Sequence, residues 1–289
     1  MAQGQQVDVK PIFIVGPPRT GTTLLGRLLA GGDHVLSLSE PFHLNDLLPH
    51  WLLRRFYHDL QRKSRLQRMP LPPMQSSEEY FQFLQQMARA NDMRFLVMKE
   101  VFHELEINPP FANFGLLDGM AARGVPILAI VRHPWDAAAS TVRLLRRLFF
   151  GIVGNAVRFC WPTIPRWTCS DEIVRWSAKN WSHFVDWTRD RRLFVVRYED
   201  LVRSPADSLS RICEYTGVPF DPRMLEHHRH RAKVFGGIGA PEVLFRRAKP
   251  VNARSVGKGR SLTREQRELI REICGDCPAD LQYDLNGCR

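Results

Sequence analysis

The chain has 289 residues, 44% hydrophobic and 25% charged, enough to bury a sizeable core in one large domain or two small ones. No run of about 18 apolar residues is free of charge, and Met1 to Lys10 lack the apolar centre of a signal peptide. Neither membrane spanning nor secretion is indicated, and a soluble, cytoplasmic protein is expected. Lys and Arg number 41 against 30 Asp and Glu, a formal charge of +11 that favours an anionic partner without choosing among nucleic acid, membrane and small molecule.

After a tail over 1–10, the apolar run Ile12–Val15 reads as a buried strand, followed by a helix over Thr22–Leu29 and a weaker strand at Val35–Leu38. Pro49–Pro73 interrupts this order and reads as a loop or insertion. Within it Arg54, Arg55, Arg62, Lys63, Arg65 and Arg68 stand against one acid, Asp59, which fits a solvated helix face, an acidic acceptor or a membrane surface. A helix over Glu78–Ala90 precedes the strand Phe95–Met98; the strand Ile127–Val131 precedes a helix over Trp135–Phe149. Gly151–Cys169 is a second insertion, bordered by Trp161, Trp167, Trp176 and Trp181; the near-helical spacing of the last two makes them anchors rather than pocket walls. A helix over Glu172–Arg189, the strand Leu193–Val196 and a helix over Pro205–Thr216 with Ser204 as N-cap follow. Lys233–Ser261 is a third insertion. The last helix, Thr263–Cys274, opens on a capping box with Gln266.

The alternation predicts an α/β fold: a single domain over 11–283 with a central parallel sheet flanked by helices, and a tail over 284–289. Six cysteines are too few for a disulfide scaffold. Cys274 reads as a buried position and Cys277 as incidental, because no second Cys or His pair completes a zinc site. His227-His228-Arg229-His230 reads as a solvated helix end, since adjacent helical residues point in different directions.

Gly16-Pro-Pro-Arg-Thr-Gly21-Thr22-Thr23 lies between a predicted strand and a helix, the context of a phosphate-binding loop. Backbone N–H groups, the positive helix terminus, Arg19 and the hydroxyls of Thr20, Thr22 and Thr23 all favour an anion there. Thr22 occupies the position of the lysine that serves the β- and γ-phosphates in nucleotide triphosphatases. The strand Ile127–Val131 likewise runs into Arg132, where a kinase would carry a magnesium-binding Asp. Arg132 would attract a second phosphate instead. Ser140, on the second turn of the next helix, would reach the same anion.

These residues resemble the sulfotransferases that use 3′-phosphoadenosine-5′-phosphosulfate (PAPS). Pro18-Arg19-Thr20-Gly21-Thr22-Thr23 is similar to their 5′-phosphosulfate loop, with Thr20 in place of the usual serine. Val131-Arg132-His133-Pro134-Trp135-Asp136 with Ser140 is similar to their 3′-phosphate motif. Arg197-Tyr198-Glu199-Asp200-Leu201 followed by Pro205 matches a third segment, and Val256-Gly257-Lys258-Gly259-Arg260 resembles a late basic loop, except that Gly259 stands where many relatives have an aromatic residue. The resemblance implies PAPS as co-substrate, no metal, and a cofactor site of Pro18, Arg19, Thr20, Gly21, Thr22, Thr23, Arg132, Ser140, Tyr198, Gly257 and Lys258. Tyr198 either packs near the nucleotide or is an ordinary core aromatic.

Sulfuryl transfer to a hydroxyl needs a base for the acceptor proton and cations for the charge that moves. Arg19 suits the second task, with Lys99, at the end of its strand, in a supporting role. Glu40, in Ser39-Glu40-Pro41-Phe42, resembles the glutamate base of the protein-tyrosine and some bacterial enzymes. A helix-capping glutamate is the structural alternative. His103, four residues after Lys99, and His43 are the competing bases; the cytosolic enzymes place their histidine two residues after the lysine. A P-loop kinase of a nucleotide or sugar is the rival enzyme. A nucleic-acid-binding protein is disfavoured because no basic stripe with interleaved aromatics is present. The acceptor, a hydroxyl compound that the +5 of Arg54–Arg68 would let be acidic, and the oligomeric state stay open.

Overall fold

The computed structural model describes residues 8–42, 50–64, 66–73, 76–102, 114–150, 170–189, 191, 193–229, 234–235, 249–275, 281–283 and 285. Among the described residues six parallel strands form one sheet: β1 (Lys10–Gly16), β2 (Val35–Ser39), β3 (Phe95–Val101), β4 (Ile127–Val131), β5 (Phe194–Arg197) and β6 (Val234–Phe235), in the order β5-β4-β1-β3-β2-β6. A parallel sheet survives only with both faces covered, and every residue of β2 and β4 is accordingly buried. The strand expected to be weakest, β2, is an interior strand between β3 and β6.

Side-chain alternation divides β1 between two cores. Ile12 and Ile14 pack with Leu25, Leu28 and Leu29 of α1 (Thr22–Leu29), and with residues from the helices that follow β5. Phe13 and Val15 face the other layer. There lie α2 (His50–Ser64), α3 (Ser77–Arg89), α4 (Phe114–Ala122), α5 (Pro134–Phe150) and α6 (Ser170–Arg189). After β5 come α7 (Tyr198–Arg203) and α8 (Pro205–Thr216), on the α1 side, and α9 (Arg264–Cys274), whose Ile270 and Cys274 join the layer of Phe13 and Val15. Local chemistry sets several ends. Ser76 accepts from Glu79 N–H to start α3, Pro205 opens α8 and Gly217 closes it at φ 74, and α9 carries the full Thr263/Gln266 capping box.

Four expectations need correction. The segment Pro49–Pro73 is largely helix, because Leu53, Tyr57 and Gln61 recur at four-residue spacing and are buried while Arg54, Arg55 and Arg62 face outward. Short α4 and α7 were not anticipated. The insertion Lys233–Ser261 contributes β6 and a 3₁₀ turn over Lys258–Ser261. His227 is not solvated: it lies in a turn after the 3₁₀ segment Pro222–Met224, 3% exposed, with a buried Nδ1 that has no hydrogen-bond partner among the described residues. Cys274 is buried on α9 as expected. Residues 43–49, 103–113, 151–169, 276–280 and 286–289 lie outside the described residues, and with them His43, His103, Trp161, Trp167 and Cys277. No helix among the described residues is long and apolar enough to cross a membrane.

Candidate active site

β1 is flanked by β3 and β4, so the carboxyl ends of three strands meet where the strand order reverses direction, the place at which doubly wound sheets bind ligands. From Gly16 the chain turns sharply into α1. Two residues make the turn with left-handed backbones, Arg19 at φ 68 and Gly21 at φ 106. Thr20 Oγ1 donates to Pro17 O at 2.8 Å and its side chain is buried, so it braces the turn from within. Glycine is required at 21 twice over: its φ is unfavourable for any side chain, and a Cβ would lie 2.5 Å from Cδ2 of Tyr198. The N-terminus of α1, with Thr22 buried and Thr23 half-buried, directs unpaired N–H groups and partial positive charge into this turn.

Arg132 leaves the end of β4 beside the loop and is 4% exposed. Nη1 donates to Arg19 O at 3.2 Å and Nη2 to Ser255 O, while the guanidinium lies 4.6 Å over the ring of Tyr198. Its Nε is buried and has no hydrogen-bond partner among the described residues. Arg19 Nε donates to Ser140 Oγ at 3.3 Å. The loop, Arg132, Ser140 and Tyr198, separated by up to 182 positions in the chain, therefore occupy one place.

The late loop docks on the same place through Asp136. Gly257 N–H donates to its Oδ2 at 2.7 Å and Gly259 N–H to its Oδ1 at 2.6 Å. A side chain at 259 would overlap Cβ of Trp135 and come within 3.3 Å of Asp136 N, which explains why this position holds no aromatic residue. Lys258 Nζ donates to Ser255 Oγ at 3.1 Å.

Positive charge accumulates here. Arg19 reaches solvent at one side but is otherwise crowded by protein; burial, then the charge of Arg132, pushes its pKa down. Lys258 is held below the ordinary lysine value by burial and by Arg143, Arg132 and Arg19, with Asp136 acting the other way. Asp136 is 3.7 Å from Arg132 Nη2, but both its oxygens also serve the late-loop N–H groups.

Glu40 and Lys99 meet at the neighbouring strand ends. Lys99 lies within β3, pairs in register with Ser39 and Ile14, and is 3% exposed, so it is no surface lysine. Its Nζ donates to Glu40 Oε1. Glu40 has a left-handed backbone, φ 57, and its N–H donates to Lys99 O. In the turn after Pro41, Phe42 N–H donates to Glu100 Oε1 at 2.9 Å.

Four supporting residues escaped the sequence reading. Asp136 anchors the late loop. Trp181 Nε1 donates to Arg132 O at 2.8 Å, Glu199 Oε1 accepts from His133 N–H at 3.0 Å, and Tyr283 O–H donates to Glu199 Oε2 at 2.8 Å. The acids had a visible signal, since each sits inside a motif that also carries an arginine. Trp181, read from its spacing as an anchor, is fully buried, but its bond to Arg132 O and that of Tyr283 to Glu199 had no local signal, because the partners are distant in sequence.

A family model described as the sulfotransferase family matches residues 11–222. Among solved structures the fold is similar to the sulfotransferase domain from the Synechococcus PCC 7002 olefin synthase (TM-score 0.58, 22% identity, covering 98% of this chain and 99% of that one). It is similar also to the sulfotransferase domain from the curacin biosynthetic pathway (0.54, 20%, 97% and 99%) and to mouse sulfotransferase SULT7A1 complexed with PAP (0.54, 14%, 95% and 88%). No curated protein matches the chain. At these identities the structural likeness speaks for the fold. The family match covers well over half the chain and takes in the loop of 16–23, the Arg132 strand end and Tyr198, so the chain belongs to the sulfotransferase family.

Proposed function

We propose that this protein transfers the sulfuryl group of PAPS to a hydroxyl acceptor, with Glu40 as general base and without a metal. The observation that carries the reading is the convergence of Arg19, Arg132, Arg143 and Lys258 at one edge of the sheet, where they depress the Lys258 pKa, while the nearest acid is engaged by backbone N–H groups. Such a cluster is stable against its own repulsion when an anion of more than one charge joins it. The orphaned Arg132 Nε supplies an unused donor for that anion. A ligand with a phosphosulfate at the loop and a phosphate by Arg132 satisfies both halves, and PAP, the bisphosphate product, is the ligand named for the mouse neighbour.

PAPS would supply the activated sulfuryl group. The protein's own residues divide the remaining work. Pro18, Arg19, Thr20, Gly21, Thr22 and Thr23 form the 5′ cradle, in which α1 N–H groups and Arg19 stabilise charge on the sulfuryl oxygens and the leaving phosphate. Arg132, Ser140, Gly257 and Lys258 hold the 3′-phosphate, and Tyr198 backs Arg132. Lys99, buried against Glu40, steadies the carboxylate and adds positive charge beside the transfer path. Glu40 accepts the acceptor's proton as the new S–O bond forms. Its strained φ is the kind of backbone cost that persists where a side chain must point in one direction.

Radiolabelled PAPS assayed against phenols, sugars, glycolipids and acidic tyrosyl peptides identifies the acceptor. With that acceptor, Glu40→Gln is expected to abolish turnover and leave binding of adenosine 3′,5′-bisphosphate nearly unchanged. Normal turnover by Glu40→Gln would remove Glu40 from the mechanism.

A further inference from the structure

Lys99 and Glu100 are consecutive on β3, so their side chains leave opposite faces of the sheet. Lys99 pairs in register with Ile14, on the side where α1 packs; Glu100 pairs with Val15, on the side of α2 and α3. Both nevertheless grip the same short segment. Lys99 holds Glu40 by its carbonyl and its ammonium, and Glu100 holds Phe42 by its N–H.

Glu100 is an expensive residue to keep where it is. It is 6% exposed, beside an aromatic cluster in which Phe42 stacks on Phe13 at 6.1 Å and meets Tyr80 edge-on at 5.5 Å. Tyr80 is hydrogen-bonded to Tyr57, whose hydroxyl is pushed upward mainly by burial and further by the charge of Glu100. A buried carboxylate in such surroundings destabilises the fold unless its oxygens are well used. One such use is to satisfy the backbone N–H at 42. That fixes the far end of a turn whose middle residue, Glu40, is in a conformation that non-glycine residues disfavour. Ser39 pins the near end within β2. With both ends fixed, the left-handed Glu40 cannot relax, and its carboxylate stays against Lys99 at the edge that carries the loop.

We propose that Glu100 is a positioning residue for Glu40: by accepting Phe42 N–H from the far face of the sheet, it locks the Glu40 turn in the geometry that transfer requires. The assignment rests on the reading of Glu40 as the base. Two variants remove the acceptor, Glu100→Ala and the better-filling Glu100→Met, and Glu100→Gln keeps an acceptor oxygen while removing the charge. Assays use the full chain, PAPS, and the panel acceptor that the unaltered protein turns over fastest.

Displacing a catalytic group by about 1 Å costs on the order of a hundredfold. Glu100→Met is therefore expected to lower kcat by about tenfold to a hundredfold with the KM for PAPS within about twofold, and Glu100→Gln to restore most of kcat. Hydrogen exchange gives an independent reading without turnover. The amide of Phe42 should exchange about tenfold faster or more in Glu100→Met and stay protected in Glu100→Gln. Unchanged kcat or unchanged Phe42 protection in Glu100→Met would overturn the proposal, as would a Glu100→Gln protein as impaired as Glu100→Met. Full activity of Glu40→Gln would instead overturn the reading of the base, while the exchange result would still report whether Glu100 holds the turn.

Discussion

Replacing Gly259 with alanine adds one methyl group at the tightest point of the late loop. The new Cβ overlaps Cβ of Trp135 and lies 3.1 Å from that residue's carbonyl carbon. Trp135 has no room to yield: it is 4% exposed, with the His133 ring 5.2 Å from its own and the Arg267 guanidinium 5.6 Å above it. The loop must therefore lift by about 1 Å to reach ordinary carbon–carbon separation. That movement carries the 2.6 Å bond from Gly259 N–H to Asp136 out to about 3.6 Å, where it is no longer a hydrogen bond. A bond to a charged group contributes about 1.5–3 kcal/mol, and the same movement disturbs Ser255 O, the acceptor for Arg132, and Lys258. Affinity for adenosine 3′,5′-bisphosphate should fall about tenfold or more, read by calorimetric titration. Gly257→Ala, which meets open space but carries φ 80, should cost less. A folded Gly259→Ala protein that binds the bisphosphate as tightly as the unaltered chain would refute the reasoning.

Tyr283→Phe removes a donor from buried Glu199 and should cost about 1.5–3 kcal/mol in denaturant unfolding, with weaker bisphosphate binding because Glu199 also holds His133 next to Arg132; unchanged stability would show that the contact is incidental. His227, buried beside His228 and Arg27, has its pKa lowered to about 4, chiefly by burial. Below its ordinary value of 6.5 the unfolded chain takes up a proton that the fold resists, so stability is present above that pH and is lost as pH falls toward 4. The loss reaches about 2 kcal/mol at pH 5. Scanning calorimetry should show a drop in Tm from pH 7 to pH 5 that His227→Phe reduces; an identical drop in both proteins would contradict the assignment.

The parallel sheet, its helical covering and the loop at 16–23 were legible because each is written locally: apolar runs of strand length, a glycine pair before a Thr-rich helix start, a capping box at Thr263. The clustering of Arg19, Arg132 and Ser140 was legible too, since a shared preference for anions links residues far apart in sequence, whereas Tyr198 entered only through the resemblance, with its place left open. What escaped depends on the third dimension. Nothing local marks β2 as interior, because its neighbours β3 and β6 come from distant segments. Basic residues on the outward face of α2 masked the Leu53, Tyr57 and Gln61 stripe beneath them. The bond from Phe42 N–H to Glu100 depends on β2 and β3 lying side by side, and nothing local to Glu100 announces it. Gly259, a departure from the resembled pattern, proved to be required by Trp135.

The central claim is that the cation cluster around Arg132 is built for a nucleotide carrying both a 5′ anion and a 3′-phosphate. Calorimetric titration of the full chain with adenosine 3′,5′-bisphosphate, adenosine 5′-diphosphate and ATP with Mg²⁺ tests it directly. The bisphosphate should bind at least about a hundredfold more tightly than either of the others, a margin of roughly 2.7 kcal/mol. Equal or tighter binding of ATP with Mg²⁺ would contradict the account and return the chain to the kinase reading.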